Sequence, residues 1–127
     1  MRVSLRVRMS LKDAHYGGNL IGGATILELF GDVATELLIR HDGDEGLFRA
    51  YDQIDFLAPV YAGDFLEVHG EITEIGNTSR KMKFTCYKVI KAAPEMAPSA
   101  AELLDEPVLV ATASGTCIVP KGLQRLK

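Results

Sequence analysis

The chain has 127 residues, 47% of them hydrophobic and 24% charged, with a formal net charge of -3; this is ordinary globular composition within the span of one domain of about 100–150 residues. The balance excludes a disordered chain and argues against a partner held through many phosphates, such as nucleic acid. An anionic ligand would have to meet a local group of cations.

Between residues 3 and 9 the apolar side chains Val3, Leu5, Val7 and Met9 alternate with Arg2, Ser4, Arg6 and Arg8, the period of a half-buried strand. A polar, glycine-bearing loop follows over 10–19. After Gly22 and Gly23 the period changes to that of a helix over about 23–41, with Ile26, Leu29, Phe30, Val33, Ala34, Leu37 and Leu38 on one broad arc, the mark of a helix packed deeply along one side. Past Asp42, Gly43 and Asp44 the period returns to 2. Four strands are expected over 47–56, 65–75, 81–91 and 108–119, with a Pro/Gly turn over 58–64 and a hairpin signal at Gly76-Asn77. The proline-bearing stretch 92–107 reads as a loop or short helical insertion. No internal repeat is present.

This order, a strand, one long helix and four strands able to pair antiparallel, predicts an α+β domain in which a curved antiparallel sheet wraps around one long central helix. One domain over 1–127 is expected. Cys86 and Cys117 fall inside predicted strands and read as reduced core thiols, no secretory signal is expected ahead of the domain, and no apolar run reaches membrane-span length. A cytoplasmic protein is the natural expectation.

The segment Asp13-Ala14-His15-Tyr16-Gly17-Gly18-Asn19-Leu20-Ile21-Gly22-Gly23 resembles the signature of hotdog-fold acyl-CoA thioesterases, and Ile54-Asp55-Phe56-Leu57-Ala58-Pro59-Val60, Gly63-Asp64 and Gly76-Asn77-Thr78-Ser79 look like later parts of that superfamily. The resemblance implies the hotdog fold. Where the thioesterase motif carries its catalytic aspartate this chain has Asn19, an amide that cannot act as a base. A fuller resemblance, to the β-alanyl-CoA and 3-aminobutyryl-CoA ammonia lyases, rests on Asp13-Ala14-His15-Tyr16, Gly18-Asn19-Leu20, Gly31-Asp32-Val33, Thr35-Glu36-Leu37 and Asp42-Gly43-Asp44. It continues through Ala58-Pro59-Val60-Tyr61, Gly63-Asp64-Phe65, His69-Gly70 and Glu106-Pro107. It implies reversible elimination of ammonia from a β-aminoacyl-CoA, 3-aminobutyryl-CoA to crotonyl-CoA ahead of β-alanyl-CoA to acryloyl-CoA, in lysine fermentation. It also implies a homodimer or a higher assembly of dimers, with the site at the subunit interface.

That chemistry needs a base for the proton beside the thioester, a protonated amine that departs as ammonia, and donors for the developing enolate oxygen. The helix start at Gly22 and Gly23 offers free N–H groups and the positive end of the helix dipole; the same glycines also serve as a tight turn. Asn19 either donates to the thioester oxygen or bonds nearby loop backbone. Glu28, Asp32 and Glu36 form one carboxylate stripe. Glu28 reads as solvated, whereas Asp32 and Glu36 are candidates for base and amine recognition. Mid-helix Gly31 would admit a ligand or bend the helix. His15 is either a loop cap or a titrating catalytic group; Tyr16 either packs or holds amine or carbonyl; His69 and Asp13 read as structural. Arg80 is the candidate for the CoA phosphates, with Lys81, Lys83, Lys121 and Arg125 also available. No cofactor is expected beyond CoA as part of the substrate, and no metal, since His and Cys lack ligand spacing. The rival readings are an acyl-CoA thioesterase and a noncatalytic acyl-CoA-binding module.

Overall fold

A computed structural model describes residues 1–126 of the chain. Its elements are β1 (Arg2–Arg8), β2 (Ala14–Tyr16), β3 (Leu20–Ile21), α1 (Gly23–Asp42), β4 (Leu47–Phe56), β5 (Phe65–Ile75), β6 (Ser79–Ala92) and β7 (Ala101–Ile118). All seven expected helical positions from Ile26 to Leu38 are buried, because the apolar arc lies against a concave sheet that reaches round it. The helix ends where Gly43 takes φ 74° and donates its N–H to Ile39 O at 2.8 Å; this left-handed cap is cheap only for a residue without Cβ.

The five long strands form one antiparallel sheet in the order β1-β5-β6-β7-β4, so β1 and β4 are its two edges. From α1, Phe30 stacks on Phe84 of β6 with ring centroids 5.3 Å apart, and Leu66, Val68, Met82, Cys86, Val110, Ala113 and Cys117 complete the core. Both cysteines are free and buried. Burial pushes the Cys86 thiol up to about 12 and the Cys117 thiol to about 11, so both are unreactive core groups. Gly76 N–H donates to Ser79 O at 2.8 Å, closing the hairpin expected at Gly76-Asn77.

One stretch departs from expectation. Residues 92–107 are neither a loop nor a helical insertion throughout: the hairpin of β6 and β7 continues outward, pairing Ile90 with Leu103, Lys91 with Glu102 and Ala92 with Ala101. Cross-strand pairing overrides the local helical preference of Ala101-Glu102-Leu103-Leu104. The register shifts between Lys88 and Ile90, placing Pro107 in a bulge, where its missing N–H interrupts no ladder.

At the far end of the helix, Asp42 and Arg80 are each 2% exposed, and Arg80 Nε and Nη2 each donate to the Asp42 carboxylate at 2.8 Å. The third arm of the guanidinium, Nη1, reaches Gly76 O and Ser79 O. This pair ties the helix end to the start of β6. The Arg80 guanidinium holds the Asp42 carboxyl below the usual carboxylate range, against the opposing effect of burial.

Candidate active site

The loop after β1 is organised by its own polar groups. Asp13 Oδ2 accepts from Ser10 N–H at 2.9 Å and from Ser10 Oγ at 3.0 Å, the structural role expected of it. β2 then folds back on β3 as a small ribbon. Its turn carries two left-handed residues, Gly18 at φ 70° and Asn19 at φ 63°, and asparagine is one of the few side chains that tolerates that region. The ribbon docks on the turn over 58–64: Ile21 N–H donates to Val60 O at 2.8 Å, and Ala62 N–H donates to Asn19 O at 3.0 Å.

The ribbon leads directly into α1 through Gly22. Among the described residues no side chain caps the N-terminus of that helix, which leaves its first amides without a side-chain partner. A Cβ on Gly23 would stand 2.7 Å from Phe56 Cζ, and one on Gly22 3.3 Å from His15 Cβ. Both glycines are therefore needed for close approach: one lets the Phe56 ring lie on the helix start, the other seats His15 behind it. In front lies a cleft of about 710 Å³, lined by Tyr16, Leu20, Gly23, Leu27, Phe56 and Val60, among others. Its lining side chains are apolar apart from the Tyr16 hydroxyl, with polar backbone groups among them.

His15 and Tyr16 are both exposed, with rings 4.7 Å apart edge to face. Tyr16 lines the cleft; His15 stands behind Gly22. Asn19 borders a second cleft of about 420 Å³ with Arg8, Ser10 and Gly63, so Leu20 and Asn19 straddle a saddle between the two spaces.

The carboxylate stripe is exposed along its whole length. Glu36 pairs with Arg40 at 2.8 Å and lines a groove against Met1, Arg2, Val3 and Ser4, roughly 20 Å along the axis from Gly23 at about 1.5 Å per residue. Asp32 has no ion-pair partner among the described residues. Gly31 has open space where a Cβ would be, and it lines a groove of about 540 Å³ between α1 and β4 with Ala24, Leu27, Glu28, Arg49 and Tyr51. This groove shares Ala24 and Leu27 with the apolar cleft. Glu28, set aside as solvated on sequence grounds, is thus the stripe carboxylate nearest the helix start and lines a groove. Burial pushes the Tyr51 phenol there up to about 12, keeping it a neutral donor.

Arg80 is a correction. Its guanidinium is buried and spent on Asp42 and two carbonyls, so it cannot meet a CoA phosphate. Of the other cations considered, Arg125 donates to Gly43 O and Lys81 pairs with Glu74. His69 is held between Ser4 Oγ and Glu67 on the outer sheet face, a structural position as expected. Phe56 and Leu27 are among the cleft residues that sequence reasoning did not assign to the site; Phe56 lies on the helix start. An aromatic ending a strand just before the 58–64 turn was its signal.

The family model of the thioesterase superfamily matches residues 17–88. The chain is 60% identical over 125 residues to the 3-aminobutyryl-CoA ammonia lyase of Acetoanaerobium sticklandii, covering 98% of this chain and 99% of that one. Among solved structures, the β-alanyl-CoA:ammonia lyase of Clostridium propionicum superposes with a TM-score of 0.94 at 45% identity, over 98% of this chain and 89% of that one. A hexameric hotdog-fold thioesterase of Campylobacter jejuni superposes with a TM-score of 0.75 at 16% identity, over 96% and 86% of the two chains, a likeness of fold.

Proposed function

The chain belongs to the thioesterase superfamily and, within it, to the family of the aminoacyl-CoA ammonia lyases; from that premise we propose that it is a carbon–nitrogen lyase releasing ammonia from 3-aminobutyryl-CoA to give crotonyl-CoA, reversibly. The observation that carries the reading is the uncapped helix start opening on an apolar cleft, with carboxylates on the outward face of the same helix. An apolar cleft suits a short acyl chain. The helix start suits an oxygen that gains negative charge, and carboxylates suit a substrate ammonium.

In the proposed reaction a base removes the proton beside the thioester carbonyl, and the charge moves onto the thioester oxygen. The amides of Gly23, the first residue of α1, and of Gly22 just before it hold that oxygen, and Asn19 donates to it across the saddle. The enolate then expels the β-ammonium group as neutral ammonia, the C–N pair leaving with nitrogen as the C=C bond forms. Asp32 is the proposed base, with Glu36 second because Arg40 already engages it. Tyr16, at the cleft, orients the amine or the carbonyl, and His15, packed against Gly22 behind the helix start, stands in reserve as a catalytic group. No cofactor is assigned beyond the CoA that the substrate carries.

Because the cleft of one chain lies away from Asp32, the partner's helix supplies the carboxylate in this reading. Of the two sheet edges, β1 carries Arg2, Arg6 and Arg8, charges of one sign that discourage pairing with a like strand, whereas β4 carries charges of both signs, Arg49, Asp52 and Asp55, beside exposed Leu47, Ile54 and Phe56. The proposed dimer therefore joins β4 to β4, beside the Phe56 ring over Gly23, and dimers of this kind can assemble further. No helix among the described residues is long and apolar enough to cross a membrane; with two unreactive buried thiols, a cytoplasmic setting is proposed.

Incubation with ammonium and either crotonyl-CoA or acryloyl-CoA tests the assignment by mass spectrometry. Formation of aminoacyl-CoA, with higher efficiency for crotonyl-CoA, is expected. A single methyl group in an apolar pocket discriminates by only about 1–3 kcal/mol, so both substrates are expected to turn over. Free thiol from simple acyl-CoAs would favour a hydrolase. Tight CoA binding without turnover would favour a binding module.

A further inference from the structure

Inward-facing positions of β6 run Met82, Phe84 and Cys86, all buried and apolar, and the next position in phase is Lys88, 7% exposed. Lys88 Nζ lies 3.0 Å from Asp64 Oδ2 and donates to Pro59 O at 2.8 Å. Asp64, fully buried, accepts Tyr61 N–H on Oδ2 and Ala92 N–H on Oδ1, each at 2.8 Å. Its backbone is equally committed: Asp64 O accepts Met9 N–H at 2.8 Å. One ion pair therefore fastens both ends of the 59–64 turn to the sheet.

A buried ion pair is a poor source of stability, since apolar residues of similar volume do as well or better once desolvation is counted. What it specifies is geometry. The turn it fixes is the one that supports the reactive loop, through Val60 O to Ile21 N–H, Ala62 N–H to Asn19 O, and the bridge between Leu20 and Tyr61. The same turn supplies Pro59 and Val60 to the cleft wall.

We propose that Asp64 and Lys88 are positioning residues for the reaction: the pair sets the 59–61 wall and, through two backbone hydrogen bonds, the height of Asn19 and Ile21 above the helix start. What is positioned rests on the ammonia-lyase reading, while the clamp itself does not. Neither side chain touches substrate in this arrangement. Misplacement of about 1 Å at a reacting centre can cost on the order of 100-fold in rate, so loss of the clamp acts on kcat more than on KM for the CoA thioester.

The test compares Lys88→Met/Asp64→Asn, which removes both charges together, with Lys88→Arg, which keeps the ion pair; Lys88→Gln is the milder charge-removing variant should the first not fold. Amide hydrogen exchange read residue by residue by NMR is expected to speed up at Ile21 and Ala62 on the order of 10-fold, with Val68 and Phe84 unchanged. In the charge-removing variant kcat is expected to fall about 10- to 100-fold with KM little altered, whereas Lys88→Arg, which keeps a cation beside Asp64, retains most of the rate. Adding Asn19→Ala to the double variant should then cost less than it does in the unmodified chain. Unchanged exchange at Ile21 and Ala62 overturns the clamp, whether or not the protein turns over an aminoacyl-CoA. Faster exchange with unaltered kcat, in a chain that does eliminate ammonia, overturns the positioning role, as does an undiminished effect of Asn19→Ala. An unmodified chain with no turnover refutes the lyase reading instead, and the exchange comparison still decides the clamp.

Discussion

Arg80 and Asp42 lie 38 positions apart, and nothing beside either marks the other as its partner. Arg80 follows a hairpin turn next to Lys81 and Lys83, where a solvated cation is the ordinary outcome. Its phase on β6 is the signal that could have been read: Arg80, Met82, Phe84, Cys86 and Lys88 all point inward, and the two charged members of that series meet buried aspartates. Asp13, by contrast, was legible from local spacing alone, because its partner is Ser10. Replacing Asp42 with Asn should destabilise the protein by about 3–5 kcal/mol, the usual cost of leaving a buried charge unpaired. The sign of the pH dependence follows from the depressed carboxyl of Asp42: its contribution is complete above the unfolded-state value of about 3.9 and is lost as pH falls through the lower folded-state value. Urea midpoints of the two proteins should therefore converge below about pH 4, and a constant gap down to the acid limit would remove Arg80 pairing as the cause. For the chemistry, Asp32→Asn should lower kcat by orders of magnitude while a CoA ligand still binds; Glu36→Gln should do less, since Arg40 holds Glu36. Full activity in both variants would pass the role to Glu28 or His15, to be separated by Glu28→Gln and the pH profile.

The helix was legible because its apolar arc repeats over many turns, and two strands, Leu47–Phe56 and Phe65–Ile75, match their alternating runs end to end. The outer part of β7 was not, because a strand extending beyond the core has no buried face to impose period 2, and its residues 101–107, exposed except for half-buried Leu104, carry no alternation. The site follows the same division. Gly23 and Tyr16 line the cleft, with Gly22 buried just before the helix, as their sequence neighbourhood implies, while Phe56 arrives from another element through the antiparallel pairing of β4 with β7. A direct check of that contact is Gly23→Ala, whose Cβ would collide with the Phe56 ring. Because Phe56 is half exposed and can swing away, stability should barely change, whereas kcat/KM should fall about 10-fold or more as the cleft is reshaped. Phe56→Leu in the same chain should restore part of the loss. No restoration would mean that the ring does not shape the cleft.

At the scale of the whole molecule, a single chain leaves the β4 edge open and keeps its helix carboxylates outside the apolar cleft, and a second copy pairing along β4 answers both. Sedimentation should find at least a dimer, and mixing a chain inactivated at Asn19 with one inactivated at Asp32 should recover about a quarter to a half of the activity through sites that draw on both subunits. A stable, active monomer would contradict the shared site, and so would the absence of any recovery. The central claim, that this fold has been turned from breaking thioesters to breaking a carbon–nitrogen bond, is tested most directly by supplying purified protein with 3-aminobutyryl-CoA and measuring crotonyl-CoA, ammonia and free CoA thiol together. Equimolar crotonyl-CoA and ammonia without thiol is the predicted result; thiol released without ammonia would contradict it.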